Sequence, residues 1–396
     1  MQSPRAIFTS IARTAVPGPG RSSCVPGWRP SEMGTLPGDA WAGTSADDTG
    51  FDTGRLDEAV QYAAAHDSGV PLSLADHLAT RAFDDGAWGE TLGPTKDRST
   101  TYGVVVRRGG IAAQWGDPAR VDMTFSVTKS LLSAVAGVAF DQGLITDLDE
   151  RVAAKVEDPC FQGDHNGQIT WRHLLHQTSE WEGTLWDKPD LVDRNRDVVA
   201  GDNSRKATHR DMQTPGTHYE YNDVRVNLLS YALLLLFRRS LPDVAREFVL
   251  GPIGASDGWS WNGYRNSHVM IDGTEMWSVS GGGHWGGGLF VDALDLARFG
   301  LLYLNKGRWN EQQVLSEDWV VMTARACPIE PRYGFMWWLN TDGLMFPSAP
   351  HDAVFALGAG GHMVWVDWQH DIVAVARWLD DDHHDGFIAR VLAALD

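Results

Sequence analysis

The chain has 396 residues, 43% hydrophobic and 21% charged, the balance of a globular protein with room for a large core and two domains. Its formal net charge of −19 would repel nucleic-acid phosphates and anionic lipid headgroups, and no basic stripe offsets it, so a small-molecule partner is expected. Cys24, Cys160 and Cys327 lie far apart without the paired spacing of a zinc site or a disulfide framework, which fits a reducing, cytoplasmic setting.

Residues 1–31 carry four arginines and no acid, with no clear secretory core, and residues 1–48 read as a disordered Pro/Gly-rich tail. Ordered structure is expected from about Gly50, where Leu56, Ala59, Val60 and Ala63 make a helical stripe. Tyr102–Val106 and Ile111–Trp115 flank Arg107-Arg108-Gly109-Gly110, a hairpin signal. Ser126 then opens an apolar run that stops at Gly143. That run is apolar nearly all round, so the helix should be buried and Lys129 at its start desolvated, which lowers an ammonium pKa.

From about Glu150 the texture changes to helices and polar loops. Thr170 is expected to cap Trp171–His176 and Asp223 to cap Val224–Phe237. The apolar run Leu228–Phe237 is too short to span a bilayer and reads as a core helix. Between the caps, Asp187–Thr214 reads as a long polar loop of the kind that often serves function. Gly281-Gly282-Gly283-His284-Trp285-Gly286-Gly287-Gly288 predicts close backbone approach. Asp292–Asn305 forms an amphipathic helix, followed by strands at Tyr333–Leu339, Met363–Trp368 and Ile372–Trp378 and a helix over Phe387–Leu395. The polar run Asp380–Asp385 reads as a solvated loop rather than a metal site. Strands at both ends with helices between predict an α+β fold. Residues 49–149 and 265–396 would form the sheet domain, with 150–264 as a mostly helical insertion.

Ser126 and Lys129, three apart at a helix start, put an amine beside a hydroxyl, the arrangement of a nucleophile and its base. The exposed N–H groups of a helix start favour negative charge developing nearby. Tyr221, between a Pro-Gly turn and a capped helix, offers a phenol on a rigid edge.

Ser126-Val127-Thr128-Lys129, Tyr221-Asn222-Asp223 and Leu357-Gly358-Ala359-Gly360-Gly361-His362, in that order, resemble the serine β-lactamase-like hydrolases over roughly residues 50 to 390. The branch most similar holds esterases, D-aminopeptidases and 6-aminohexanoate-dimer hydrolases, close to class C β-lactamases. The resemblance implies a β-lactamase/transpeptidase-like fold, an antiparallel sheet flanked by helices. It makes Ser126 the acyl-forming nucleophile, Lys129 its base, Tyr221 a proton relay, and the backbone N–H groups of Ser126 and Ala359 an oxyanion hole, with no cofactor and no metal. Asp223, Gly358 and Gly360 would border the substrate, and Trp181, Trp186 and Trp285 would line the acyl pocket. Two departures stand out. Asp223 replaces the family's amide, and Ala356-Leu357-Gly358 lacks the cation that pairs with a β-lactam carboxylate. Both point to small esters or linear amides, with an acyltransferase or a catalytically silent binding protein as alternatives on the same fold.

Overall fold

The computed structural model describes residues 36–38, 41, 46–80, 90–198, 201–283 and 287–395. The expectations for residues 1–35 and for Trp285 lie outside the described residues.

Helix α1, Thr53–Ala65, starts at Asp52, whose carboxylate accepts the Arg55 N–H, and it buries Leu56, Ala59 and Ala63. A short α2, Leu74–Ala79, follows. The hairpin of β1, Tyr102–Arg107, and β2, Gly110–Trp115, turns through Arg108 and Gly109 at φ 52 and 76. Those left-handed angles match the turn to the strands' twist. After β3, Asp122–Met123, comes α3, Thr128–Asp141, whose residues Thr128–Ala139 are all buried. Gly143, at φ 71, stands just past its end.

The central stretch contains α4, Trp171–Leu175, the ribbon of β4, Thr184–Leu185, and β5, Lys188–Pro189, then α5, Asp223–Phe237, and α6, Leu241–Ala245. Thr170 caps α4 as expected, in a reciprocal box with His173. Asn222 rather than Asp223 caps α5: its Oδ1 accepts the N–H groups of Val224 and Arg225, which leaves Asp223 as the first helical residue. Among the described residues no helix is long and apolar enough to cross a membrane.

Strands β6, Ser260–Ile271, β7, Thr274–Val279, and β8, Gly288–Val291, lead into α7, Ala293–Leu304. A ribbon of β9, Arg308–Trp309, and β10, Gln312–Gln313, precedes α8, Glu317–Thr323. The chain closes with β11, Trp338–Leu339, β12, Val354–Gly358, β13, His362–Asp367, β14, Ile372–Arg377, and α9, His384–Ala393. Of the strand expected over Tyr333–Leu339 only the last two residues join the main sheet, while Tyr333 folds back to bridge Trp338. Met336 adopts φ 59 and the chain turns there, which brings the Met336 carbonyl to the Ser130 hydroxyl on α3.

The main sheet runs β11-β12-β13-β14-β1-β2, antiparallel throughout, so a C-terminal strand closes on the first hairpin, from Tyr102↔Arg377 to Arg107↔Ile372. A second sheet runs β3-β8-β6-β7. Helix α7 covers β13, β14 and β1, while α1 packs on α9 and β2. Helix α3 lies among α5, α6, α8 and β12, which explains why it is apolar on every side.

Candidate active site

Phe125–Val127 forms a 3-10 turn that feeds α3. Phe125 sits at φ 47, a conformation that costs energy for a bulky side chain and persists only where packing enforces it. Its ring stacks on His362 at 6.0 Å and meets Trp378 edge-on at 6.4 Å. Two glycines let neighbouring backbone close on this turn. A Cβ on Gly282 would stand 2.1 Å from the Phe125 carbonyl oxygen, and one on Gly358 2.2 Å from that of Thr124. The close approach expected of the glycine-rich segment is therefore made against the Ser126 turn. Beneath it, buried Arg377 donates to His362 Nδ1 at 2.9 Å and to the carbonyls of Val291, Asp122 and Met123, tying β14 to β8 and β3.

Ser126 is half-buried, and Lys129, 1% exposed, donates from Nζ to Ser126 Oγ at 2.7 Å. Lys129 Nζ also lies 2.6 Å from Asp223 Oδ1. This corrects the expectation of a lowered lysine pKa. Burial is the largest single influence and pulls it down, but the Asp223 carboxylate and Tyr221 together pull it up and the net direction is upward. Tyr221, 4% exposed, presents its ring 4.9 Å from Lys129 Nζ, stacks on Trp338 and meets Tyr333 edge-on.

Asp223, expected to border the substrate, has both its oxygens engaged inside the protein. Oδ1 faces Lys129, and Oδ2 accepts Arg196 NH1 at 2.7 Å. The Asp223 N–H donates to Asp193 Oδ2, and Asp193 Oδ1 lies 3.6 Å from both Arg196 NH1 and Lys206 Nζ. Composition alone did not single out Arg196, Asp193 and Lys206. The available signal was the density of charge in Asp187–Thr214, which the chain folds against the Tyr221 segment. A cavity of about 360 Å³ opens there, lined in part by Tyr221, Arg196, Arg205, His218 and Arg332.

The end of β12 places Gly358 with its missing Cβ 3.2 Å from Ser126 N, and half-buried Ala359 is the next residue in the chain. Gly358 and Gly360 act here through their lack of a side chain. A Cβ on Gly360, at φ 85, would reach 2.7 Å from the Trp378 ring. Trp181 is a core residue, not a pocket wall: it is 1% exposed and its Nε1–H donates to the Cys160 carbonyl at 2.8 Å. Trp186 is half-buried against Tyr231, ring centroids 5.3 Å apart. Asp381–His383 forms a 3-10 turn ahead of α9, and among the described residues no group of three or more His, Cys, Asp or Glu is placed to hold a metal ion.

The structure thus brings together the Ser126 hydroxyl, the Lys129 ammonium, the Tyr221 ring and the glycine-rich end of β12. The chain belongs to the beta-lactamase family, whose model matches residues 94–391. Three solved structures show the fold. A Bacillus anthracis chain provisionally named a 6-aminohexanoate-dimer hydrolase is 18% identical over 74% of this chain and 78% of its own, with a TM-score of 0.55. EstCE1, described as a hydrolase with promiscuous acyltransferase activity, is 17% identical over 87% and 99%, with a TM-score of 0.54. Simvastatin synthase from Aspergillus terreus is 14% identical over 81% and 98%, with a TM-score of 0.54. No curated protein matches the chain. The expected α+β, β-lactamase/transpeptidase-like fold is the fold found.

Proposed function

We propose that this protein is a serine hydrolase that forms an acyl-enzyme on small esters or linear amides. The observation that carries the reading is Lys129 Nζ held 2.7 Å from Ser126 Oγ, at the turn where β12 abuts the nucleophile's backbone. Ser126 Oγ attacks the substrate carbonyl carbon and its proton passes to the Lys129–Tyr221 pair. The active form is the pair short of one proton. The backbone N–H groups of Ser126 and Ala359 receive the developing oxyanion. Collapse expels the alcohol or amine, which takes the proton from the pair. Water then attacks the acyl-enzyme by the reverse sequence and restores Ser126.

The absence of a cation at Ala356-Leu357-Gly358 and the engagement of Asp223 with Lys129 support esters and linear amides over β-lactams. The names of EstCE1 and simvastatin synthase support a test of acyl transfer to an alcohol or amine, which product analysis with a competing acceptor separates from hydrolysis. The free thiols of Cys160 and Cys327 support a cytoplasmic setting.

A fluorophosphonate probe should label Ser126, and Lys129→Ala should abolish labelling. Labelling that persists unchanged in Ser126→Ala overturns the reading.

A further inference from the structure

We infer that Arg196 is a positioning residue for this reaction: by sharing Asp223 with Lys129 it sets how tightly the Lys129–Tyr221 pair holds its proton. The inference rests on the acyl-enzyme reading above. Its basis is geometric. Asp223 spans two cations, with Lys129 Nζ 2.6 Å from one oxygen and Arg196 NH1 2.7 Å from the other. The same two cations stand over the Tyr221 ring, Nζ at 4.9 Å from its centre and Arg196 Cζ at 5.4 Å. Arg196 thus touches both partners of the proton-handling pair electrostatically and neither of its reacting atoms.

Among the described residues, charged and titratable groups face the pair and Asp223 from several elements, the buried phenols of Tyr219 and Tyr264 included. Ser126 faces Lys129 from the turn before α3, Asp223 from the first turn of α5, and Tyr221 from the segment before it. Arg196 comes from the segment after β5. Asp193 and Lys206 complete the cluster behind Asp223 and Arg196. Tyr333 backs Tyr221 from the other side, its hydroxyl held by Gln177.

The direction of the effect follows. The guanidinium neutralises part of the Asp223 charge that holds the proton on Lys129, and it disfavours a further positive charge beside it. Removing it takes away a cation that offsets Asp223 and disfavours charge on Lys129, so Lys129 holds its proton more tightly. Removing Asp223 does the reverse. A purely structural Arg196, present only to neutralise buried Asp193 and Asp223, would alter stability without moving the pair's titration.

The experiment is the fluorophosphonate labelling rate constant of the full chain from about pH 7 to about pH 11, along the rising acid limb that a tightly held Lys129 proton implies. A rate constant reads only folded molecules, so partial loss of fold does not obscure it. Arg196→Gln should shift the acid limb up by about one unit, the size expected for a charge a few ångströms away, and slow labelling about tenfold at a fixed pH on the limb. Asp223→Asn should shift it down, and Arg196→Lys should return it close to wild type. Should Arg196→Gln fail to fold, Arg196→His takes its place, being neutral above about pH 6.5 and so giving the same upward shift. An unmoved limb in the Arg196 variant, or limbs that move the same way in the Arg196 and Asp223 variants, overturns the inference. Labelling away from Ser126 would instead overturn the acyl-enzyme reading itself.

Discussion

Two buried charge clusters meet at the first turn of α5, and they are built from different cations. In one, Lys129, Arg196 and Lys206 share Asp193 and Asp223. In the other, Arg225 donates to Glu180, Asp190 and the Trp181 carbonyl and pairs with Glu220. Arg210 forks onto Glu180 and also pairs with Glu220, and Arg194 forks onto Asp190 and reaches Glu182. Arginine does not lose its proton in a protein, so the second cluster is fixed charge, whereas the first contains a lysine and a phenol that can exchange one. On the proposed function the arginine cluster would be architecture and the lysine cluster chemistry.

The largest effect that could break this division is on stability. Arg225 is 1% exposed, and deleting it would leave three carboxylates short of a buried partner. Arg225→Ala should cost about 3–5 kcal/mol in urea unfolding, the usual penalty for orphaning a buried charge. Lys129→Met removes a cation of similar burial, yet Asp223 keeps Arg196. It should cost less than about 1 kcal/mol while abolishing acylation. Equal stability losses for the two variants would mean that both clusters are scaffolding.

The two clusters should also fail at opposite ends of the pH scale. Burial pushes Glu180 up, but hydrogen bonds from Arg210 and the charge of Arg225 pull harder and hold its carboxyl at about 2 against an ordinary 4.5. A depressed carboxyl contributes stability that is full above 4.5 and is lost as pH falls toward about 2. For this fully buried group the contribution is ~3 kcal/mol. Lys129 is raised above its ordinary 10.5, so its contribution is full below that value and is lost only in strong alkali. Unfolding free energies from acid to alkaline pH should therefore show Glu180→Gln flattening only the acid side and Lys129→Met only the alkaline side. Acid dependence unchanged in Glu180→Gln would place the acid-labile group elsewhere.

Much of this was legible in the sequence, but unevenly. The Ser126 helix, the hairpin at Arg108-Gly109 and the closing strands follow from periodicity and turn chemistry, because local preference and burial agree there. The region from Gln177 to Asn195 did not declare itself for the converse reason. Gln177, Glu180, Trp186, Asp187 and Asn195 all adopt positive φ without being glycine. These residues make long-range contacts that no local pattern records: Gln177 Nε2 donates to Tyr333, Glu180 pairs with Arg210 and Arg225, and the Asn195 N–H donates to Glu220. Trp181 misled because a tryptophan near a motif does not say which way its ring points. The lysine pKa misled because desolvation was read from the helix alone, while the deciding carboxylate arrives from 94 positions later, at Asp223.

The smallest prediction tests whether the two clusters are independent despite their shared helix. Asn222 separates Tyr221 from Asp223. Its Oδ1 caps α5, its Nδ2 donates to the Asp190 carbonyl at 2.9 Å, and its N–H donates to Gln177 Oε1 at 2.9 Å. Losing the cap and the buried donor should cost about 1–2 kcal/mol, so Asn222→Ala should lower the urea midpoint modestly. If the arginine cluster fixes the start of α5 and Arg196 tunes the pair, that loss should leave the acid limb of labelling in place, since no charge beside Lys129 has changed. A limb displaced as far as in Arg196→Gln would mean instead that the seating of the helix, rather than the guanidinium, governs the proton.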